Sequence, residues 1–379
     1  MNQGSTISGV APKKKAETWY ARFAAVAGCR APARLFTLTF KAPKISVWTK
    51  QTGKDRGSFM NRFVLPLIAA VAVSACEGST GKDNPFQEDP EDTEEQAEAS
   101  TINEALASNV SNVSKPGADT ITVEIFALDG TWLTNSFTRN AALDTAGYMA
   151  YTTQEDPLDR MFIALAAESL DGSVHAGVAI DGGQFNYFHG GGYYQRDGGF
   201  NAPSIGNGPG EGQVSYAGNY AAVTNISSSE GADLLPIPPG VDPDDLPDLP
   251  GQPSRIEGTI FLNANFADNA VNGEIYNRVL ISPIDNTTTV VLDDLTLVVS
   301  DIDENGEFFG DVEMSGEVGS DVGDYGGIFG GNGATSVAGI VSVSDHIDDV
   351  ENEQEYGVFV LTQCGQPNDA AVCDIVAPN

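Results

Sequence analysis

The most regular stretch of the chain is Arg255 to Phe266. Ile256, Gly258, Ile260, Leu262, Ala264 and Phe266 fall on one parity, Arg255, Glu257, Thr259, Asn263 and Asn265 on the other, and only Phe261 is out of step. A period of two over this length predicts a strand with one buried and one wet face. Ala267-Asp268-Asn269-Ala270 then turns the chain into a second alternation, Val271, Gly273, Ile275 and Val279, and a third runs through Phe308, Gly310, Val312, Met314, Gly316 and Val318. Further strands are expected at 212–225, 288–300, 323–331, 335–344 and 355–363, with hardly a helical period between them. Together these segments make an eight-stranded antiparallel up-and-down β-barrel over 211–379, which closes its own edges; a sandwich is the alternative.

Upstream, the apolar runs Ile121–Leu128, Met161–Glu168 and Ser173–Ile180 end at or near Asp129-Gly130, Asp171-Gly172 and Asp181-Gly182, pairs that accept the positive φ of a tight hairpin turn. The fold class is therefore all-β, with a smaller β-rich segment over 119–210 ahead of the barrel. Between Gly182 and Phe200, Tyr187, Phe188, Tyr193 and Tyr194 stand among glycines. They read either as two short strands with aromatic faces joined by a Gly loop or as an aromatic contact surface for a partner, with His189 offering a haem or metal ligand. The proline-dense stretch Leu234 to Pro253 reads as a stiff exposed loop near polyproline II, or else as a recognition ligand.

Charge divides the chain. Residues 1–59 hold 11 of the 19 Lys and Arg but only Glu17 and Asp55 among 53 acids; from Cys76 onward 7 bases face 51 acids, a formal balance of 7 − 51 = −44. That part repels phosphate, which excludes bare nucleic acid and anionic headgroups as partners. At Met60 the chain reads MNRFVLPLIAAVAVSAC: one Arg at 62, an apolar run from Phe63 to Val73, then Ser74, Ala75 and Cys76. Such a run makes about 16 Å of helix, roughly half a bilayer core, so 60–75 is expected to be an export signal rather than a span. Its ending resembles a lipobox, in which the thiol of Cys76 takes a diacylglycerol; a short buried helix is the alternative. On this reading residues 1–59 are an upstream extension from a start codon placed too early, or else a genuine basic extension. Residues 83–98, with acids, prolines and no base, open a disordered acidic linker expected over 76–118.

Catalytic constellations are missing. The sequence has no CxxC, HExxH or GxSxG, and His175, His189 and His346 lack ligand spacing, so neither an enzyme nor a cofactor is expected. Asp301, Asp303 and Asn305 open like a calcium loop, but Val312 stands where the bidentate Glu belongs, and an acidic β-turn is the stronger reading. Cys364 and Cys373, in an exported chain, are expected to form a disulfide closing a short loop, worth roughly 2 to 3 kcal/mol.

The segment Tyr325 to Val343, YGGIFGGNGATSVAGIVSV, resembles the closing barrel hairpin of transferrin-binding protein B and its relatives, and SYAGNY around Gly218 and FADNAVNGEIYN (Phe266 to Asn277) are similar to earlier hairpins of that family. The resemblance covers roughly 210–379. It implies an eight-stranded barrel, a lipid anchor at Cys76, a place on the outer-membrane surface, and binding of an extracellular macromolecule or small nutrient rather than catalysis. The two-lobe length of the family is missing, and no iron-carrier contact loop matches residue by residue, so transferrin itself is not implied. A structural envelope lipoprotein without a ligand is the alternative function.

Overall fold

The alternation of Arg255–Phe266 is realised as one wall of a closed barrel. The protein is described by a computed structural model over residues 102–376, except 127–130, 185–186, 205–211, 244–245, 247 and 349. Seven strands come first: β1 (Val110–Val113), β2 (Thr120–Phe126), β3 (Trp132–Arg139), β4 (Met149–Thr153), β5 (Phe162–Glu168), β6 (Val174–Asp181) and β7 (Gly190–Arg196) form an antiparallel sheet in sequence order. Then β8 (Gln213–Ser228), β9 (Gln252–Asn265), β10 (Ala270–Ile281), β12 (Leu295–Asp301), β13 (Glu307–Met314), β14 (Asp321–Gly330), β15 (Ser336–Ser344) and β16 (Gln354–Thr362) pair each with the next, and β16 returns to β8. The eight-stranded antiparallel barrel is thus closed. The expected strand at 288–300 is two: β11 (Thr289–Val291) hangs on the end of β10 outside the ring, and β12 belongs to it.

Inside the barrel, Phe329 is the hub of an aromatic core, with ring centroids 5.0 Å from Phe266, 5.2 Å from Phe308 and 5.4 Å from Tyr216. Two inward positions differ from the alternation. On β10 the register shifts between Tyr276 and Val279, with Asn277 at φ 55°, so Arg278 rather than Val279 turns inward. A bulge adds one residue and flips the parity beyond it. On β13 the strand ends at Met314, and Val318 sits 98% exposed in a turn where Gly316 and Gly319 take positive φ.

The sheet packs against the outside of β14, β15, β16 and β8. Ile163, Leu165, Val178 and Ile180 meet Ala221, Val223, Ile340 and Val358 in one continuous apolar layer. The other face of the sheet curls onto itself around Val123, Ile125, Phe137 and Tyr151, and the amide of Asn109 donates to the carbonyl of Gly190, so the sheet is nearly closed. Residues 104–113, which the 76–118 linker reading took as disordered, are structured. The helical turn α1 (Glu104–Ala107) and β1 bury Leu106, Val110 and Val113 completely, and β1 pairs with β2 as the first strand of the sheet.

Polar pins fasten the two layers. Asp171, in the β5–β6 turn, accepts hydrogen bonds from Ser169, Ser173 and Ser336; burial alone would push its carboxyl up, but these bonds outweigh it and hold it at about 2. Arg196 donates to the carbonyls of Asn305 and Phe329, and Arg255 to the carbonyl of Leu143 and the hydroxyl of Thr145. The glycines after His189 are strand, not loop. A Cβ at Gly191 would enter the carbonyl of Ala107, and one at Gly192 the side chain of Ile340, so β7 is sandwiched between α1 and the barrel wall.

Candidate functional site

Asp181 closes β6 fully buried, and its carboxylate organises the hairpin tip that follows. Oδ1 accepts the amide of Gly183 at 2.7 Å; Oδ2 accepts the amide of His189 at 3.1 Å and Nη1 of Arg160 at 2.8 Å. Nη2 of Arg160 donates to the carbonyl of Gln184 at 2.9 Å, and Nδ1 of His189 lies 3.2 Å from Nη1 of Arg160. His189 is thus tied into the scaffold of the tip through its amide and Nδ1. Gln184 and Tyr187 bond each other's backbones and close the tip.

The same tip is held to the end of the proline loop. Nε2 of Gln184 donates to the carbonyl of Asp248 at 3.1 Å, and the hydroxyl of Ser227 donates to the carbonyl of Gly182. A Cβ at Gly182 would collide with the carbonyl of Gly251, so the two backbones touch where only glycine fits. Between the tip, the end of β8, the proline loop and the β15–β16 loop opens a cleft of about 790 Å³, within the range of ligand sites. Tyr187, 65% exposed, and Phe188 give it an aromatic side; Asn225, Asn352, Glu351 and Asp248 give it amides and carboxylates, and among the described residues no Lys or Arg lines it. Such a surface can stack a ring, hydrogen-bond polar groups and attract positive charge. A second cleft beside Tyr148 and Gly218 is smaller, about 300 Å³.

Of the four aromatics expected as contacts, the cleft gathers Tyr187 and Phe188 only. Tyr193 and Tyr194 are consecutive on β7 and so point to opposite faces; Tyr194 is 4% exposed in the layer against the barrel, and Tyr193 packs partly buried near His175. Cys364 and Cys373 are joined by a disulfide with a Cα–Cα distance of 5.3 Å, which ties the C-terminal turn α2 (Cys373–Val376) to the end of β16. Asp303 spends Oδ1 on the amides of Asn305 and Glu307, the pattern of an acidic turn. The carbonyl of Asn305 is taken by Arg196, and Asp301 ends β12. Among the described residues no group of three His, Cys, Asp or Glu is set to hold a metal ion. Cys76, the 60–75 signal and residues 1–59 lie outside the described residues.

A buried ionic cluster in the barrel was not foreseen from the alternation. Arg278 and Glu355 form a fully buried pair at 2.5 Å; Tyr220 donates to Glu355 at 2.6 Å, and Nε2 of His346 lies 3.0 Å from the same carboxylate. Burial would raise the Glu355 carboxyl, but the charge of Arg278 and the bonds from His346 and Tyr220 hold it at about 2. The one signal for it in the sequence is the Asn277-Arg278 break in parity.

No family model and no curated protein matches the chain. Among solved structures it shows weak, low-identity similarity to transferrin-binding protein B. Intact Ap-TbpB, with N and C lobes, is 13% identical over 65% of this chain and 52% of that one, at a TM-score of 0.29. A double mutant of the vaccine antigen transferrin-binding protein B from Haemophilus parasuis Hp5 gives 13%, 66%, 52% and 0.31, and the isotype 1 protein from serogroup B Neisseria meningitidis 11%, 66%, 51% and 0.25. The chain spans about half the length of these structures.

Proposed function

We propose that the chain is a lipid-anchored protein of the outer-membrane surface, tethered through Cys76, that binds an extracellular protein or small nutrient at the cleft beside Tyr187. The observation that carries this reading is convergence. The two segments with unusual exposed chemistry, the aromatic tip and the proline loop, are far apart in sequence yet line one cleft, and buried Asp181 with half-buried Arg160 holds the tip in place. Rigid support beneath exposed aromatic and polar groups is what a binding site requires. The inward positions of the barrel are committed to aromatic packing and the Arg278 cluster, which leaves recognition to the exterior. The export signal and acidic linker supply the anchor and its reach.

The test is saturable capture from extracellular fluid by the wild-type chain and by Tyr187→Ser. Loss of capture by about tenfold or more supports the cleft; equal capture by both removes it as the site. Absence of any saturable partner across growth conditions supports the structural envelope reading instead. The anchor is tested separately with a fatty-acid analogue, which should label the wild type and not Cys76→Ser.

A further inference from the structure

We propose that the outer edge of β3 is a second contact surface, one that adds an extended, basic peptide segment of another protein as a further strand. β2 pairs with β3 along its whole length, from Thr120 opposite Thr138 to Phe126 opposite Trp132, whereas β4 takes up only Thr138 and Arg139. From Trp132 to Phe137 the far edge of β3 has no strand beside it among the described residues. Every second residue of a strand directs its amide and carbonyl outward, so this stretch presents a row of main-chain partners. Every strand of the barrel ring has a neighbour on both sides, its one appended edge strand, β11, is only three residues long, and the two ends of the smaller sheet approach each other through Asn109 and Gly190.

The usual guards of an open edge are missing here. Trp132-Leu133-Thr134-Asn135-Ser136-Phe137 contains no charge and no proline, in a part of the chain dense in acids. Trp132 and Leu133 are 47% and 46% exposed, and Trp132 packs on Phe126 with ring centroids 5.3 Å apart, a ready apolar flank for a docked strand. Charge identifies the occupant. After Thr153 the chain leaves the sheet at the level where the open stretch begins, in an exposed turn carrying Glu155, Asp156 and Asp159. The nearest cations are engaged elsewhere, Arg160 with Asp181 and Arg139 with Asp144. A basic peptide complements this turn, while a second copy would bring the same formal charge of 7 − 51 = −44 from Cys76 onward.

The experiment is hydrogen exchange on the full chain with three synthetic probes: an alternating Thr/Val peptide flanked by Lys, its Glu-flanked twin, and a backbone N-methylated form of the Lys peptide. The Lys peptide should slow exchange at 132–137 about tenfold, the other two should not, and Thr134→Lys should weaken the effect about tenfold by guarding the edge. If Thr134→Lys disturbs the sheet, Glu155→Gln with Asp159→Asn on the exposed turn should weaken the Lys peptide instead. The proposal is overturned by no added protection at 132–137, by equal effects of the N-methylated or Glu-flanked peptide, or by protection that rises with protein concentration alone, which would make a second copy the occupant.

Discussion

The wall made by β14, β15, β16 and β8 is buried on both faces, and the two faces are packed differently. Inward it carries Tyr216, Tyr220, Tyr325, Phe329 and Phe359, long side chains that reach across a barrel; outward it carries Ala221, Val223, Ala338, Ile340 and Val358 against the smaller sheet. Stacked sheets lie about 10 Å apart, which favours small and β-branched residues, whereas a barrel interior has to be filled from all sides. The inner face hosts a fully buried cluster in which Arg278 and His346 both meet the Glu355 carboxylate, whereas the outer face meets charge through the pins of Asp171 to Ser336 and Arg196 to Phe329. Both faces are thus consumed by packing, which leaves loop ends and open edges as the surfaces available to the proposed binding. The Tyr187 cleft and the β3 edge are two such places.

The largest way to break this contrast is to strip the outer face. A 211–379 fragment keeps all eight barrel strands but uncovers Ala221, Val223, Ile328, Ile340, Tyr356 and Val358. It should aggregate, or melt about 10 °C or more below the full chain. A monomeric fragment with an unchanged melting point would mean that the layer contributes little. Next, Arg278→Met leaves Glu355 buried without its cation and should cost about 3–5 kcal/mol, while adding Glu355→Leu should recover much of that loss. Denaturant titration of both variants decides it, and a harmless single variant would contradict the inner cluster.

The same carboxylate sets a pH dependence. Its folded value, about 2, lies below its ordinary one, so its contribution is fully present above the ordinary carboxylate range and is lost as pH falls toward about 2; Asp171 has the same sign. Acid should destabilise the wild type more steeply than the Arg278→Met, Glu355→Leu double variant, as read from melting points between neutral pH and pH near 2. The smallest effect separates neighbours on the hairpin. Tyr194→Ser should cost about 2–4 kcal/mol, whereas Tyr187→Ser should stay within about 0.5 kcal/mol.

What the sequence made legible follows from regular pairing. β9 shows its parity because it pairs without interruption over Thr259–Asn265 with β10 and over Ser254–Asn265 with β8, so one face stays buried. Arg278 was hidden because a bulge breaks the count, and Val318 was misplaced because a turn replaces the strand after Met314. β3 and β4 gave little signal: WLTNSFTR is mostly exposed, and MAYTT is only five residues long. The aromatic tip was visible as composition, but the cleft joins segments around 184, 225, 250 and 352 that no local pattern connects, and alternation on β7 sends Tyr194 into the core.

The proposed binding places the partner at the Tyr187 cleft. A photoactivatable phenylalanine analogue placed at Tyr187, and for comparison at Val291, 80% exposed on β11, tests it most directly in cells bearing the full chain. Binding at the cleft should give a discrete crosslinked extracellular species from position 187 and none from position 291. Crosslinking from 291 alone, or equally from both, would contradict it.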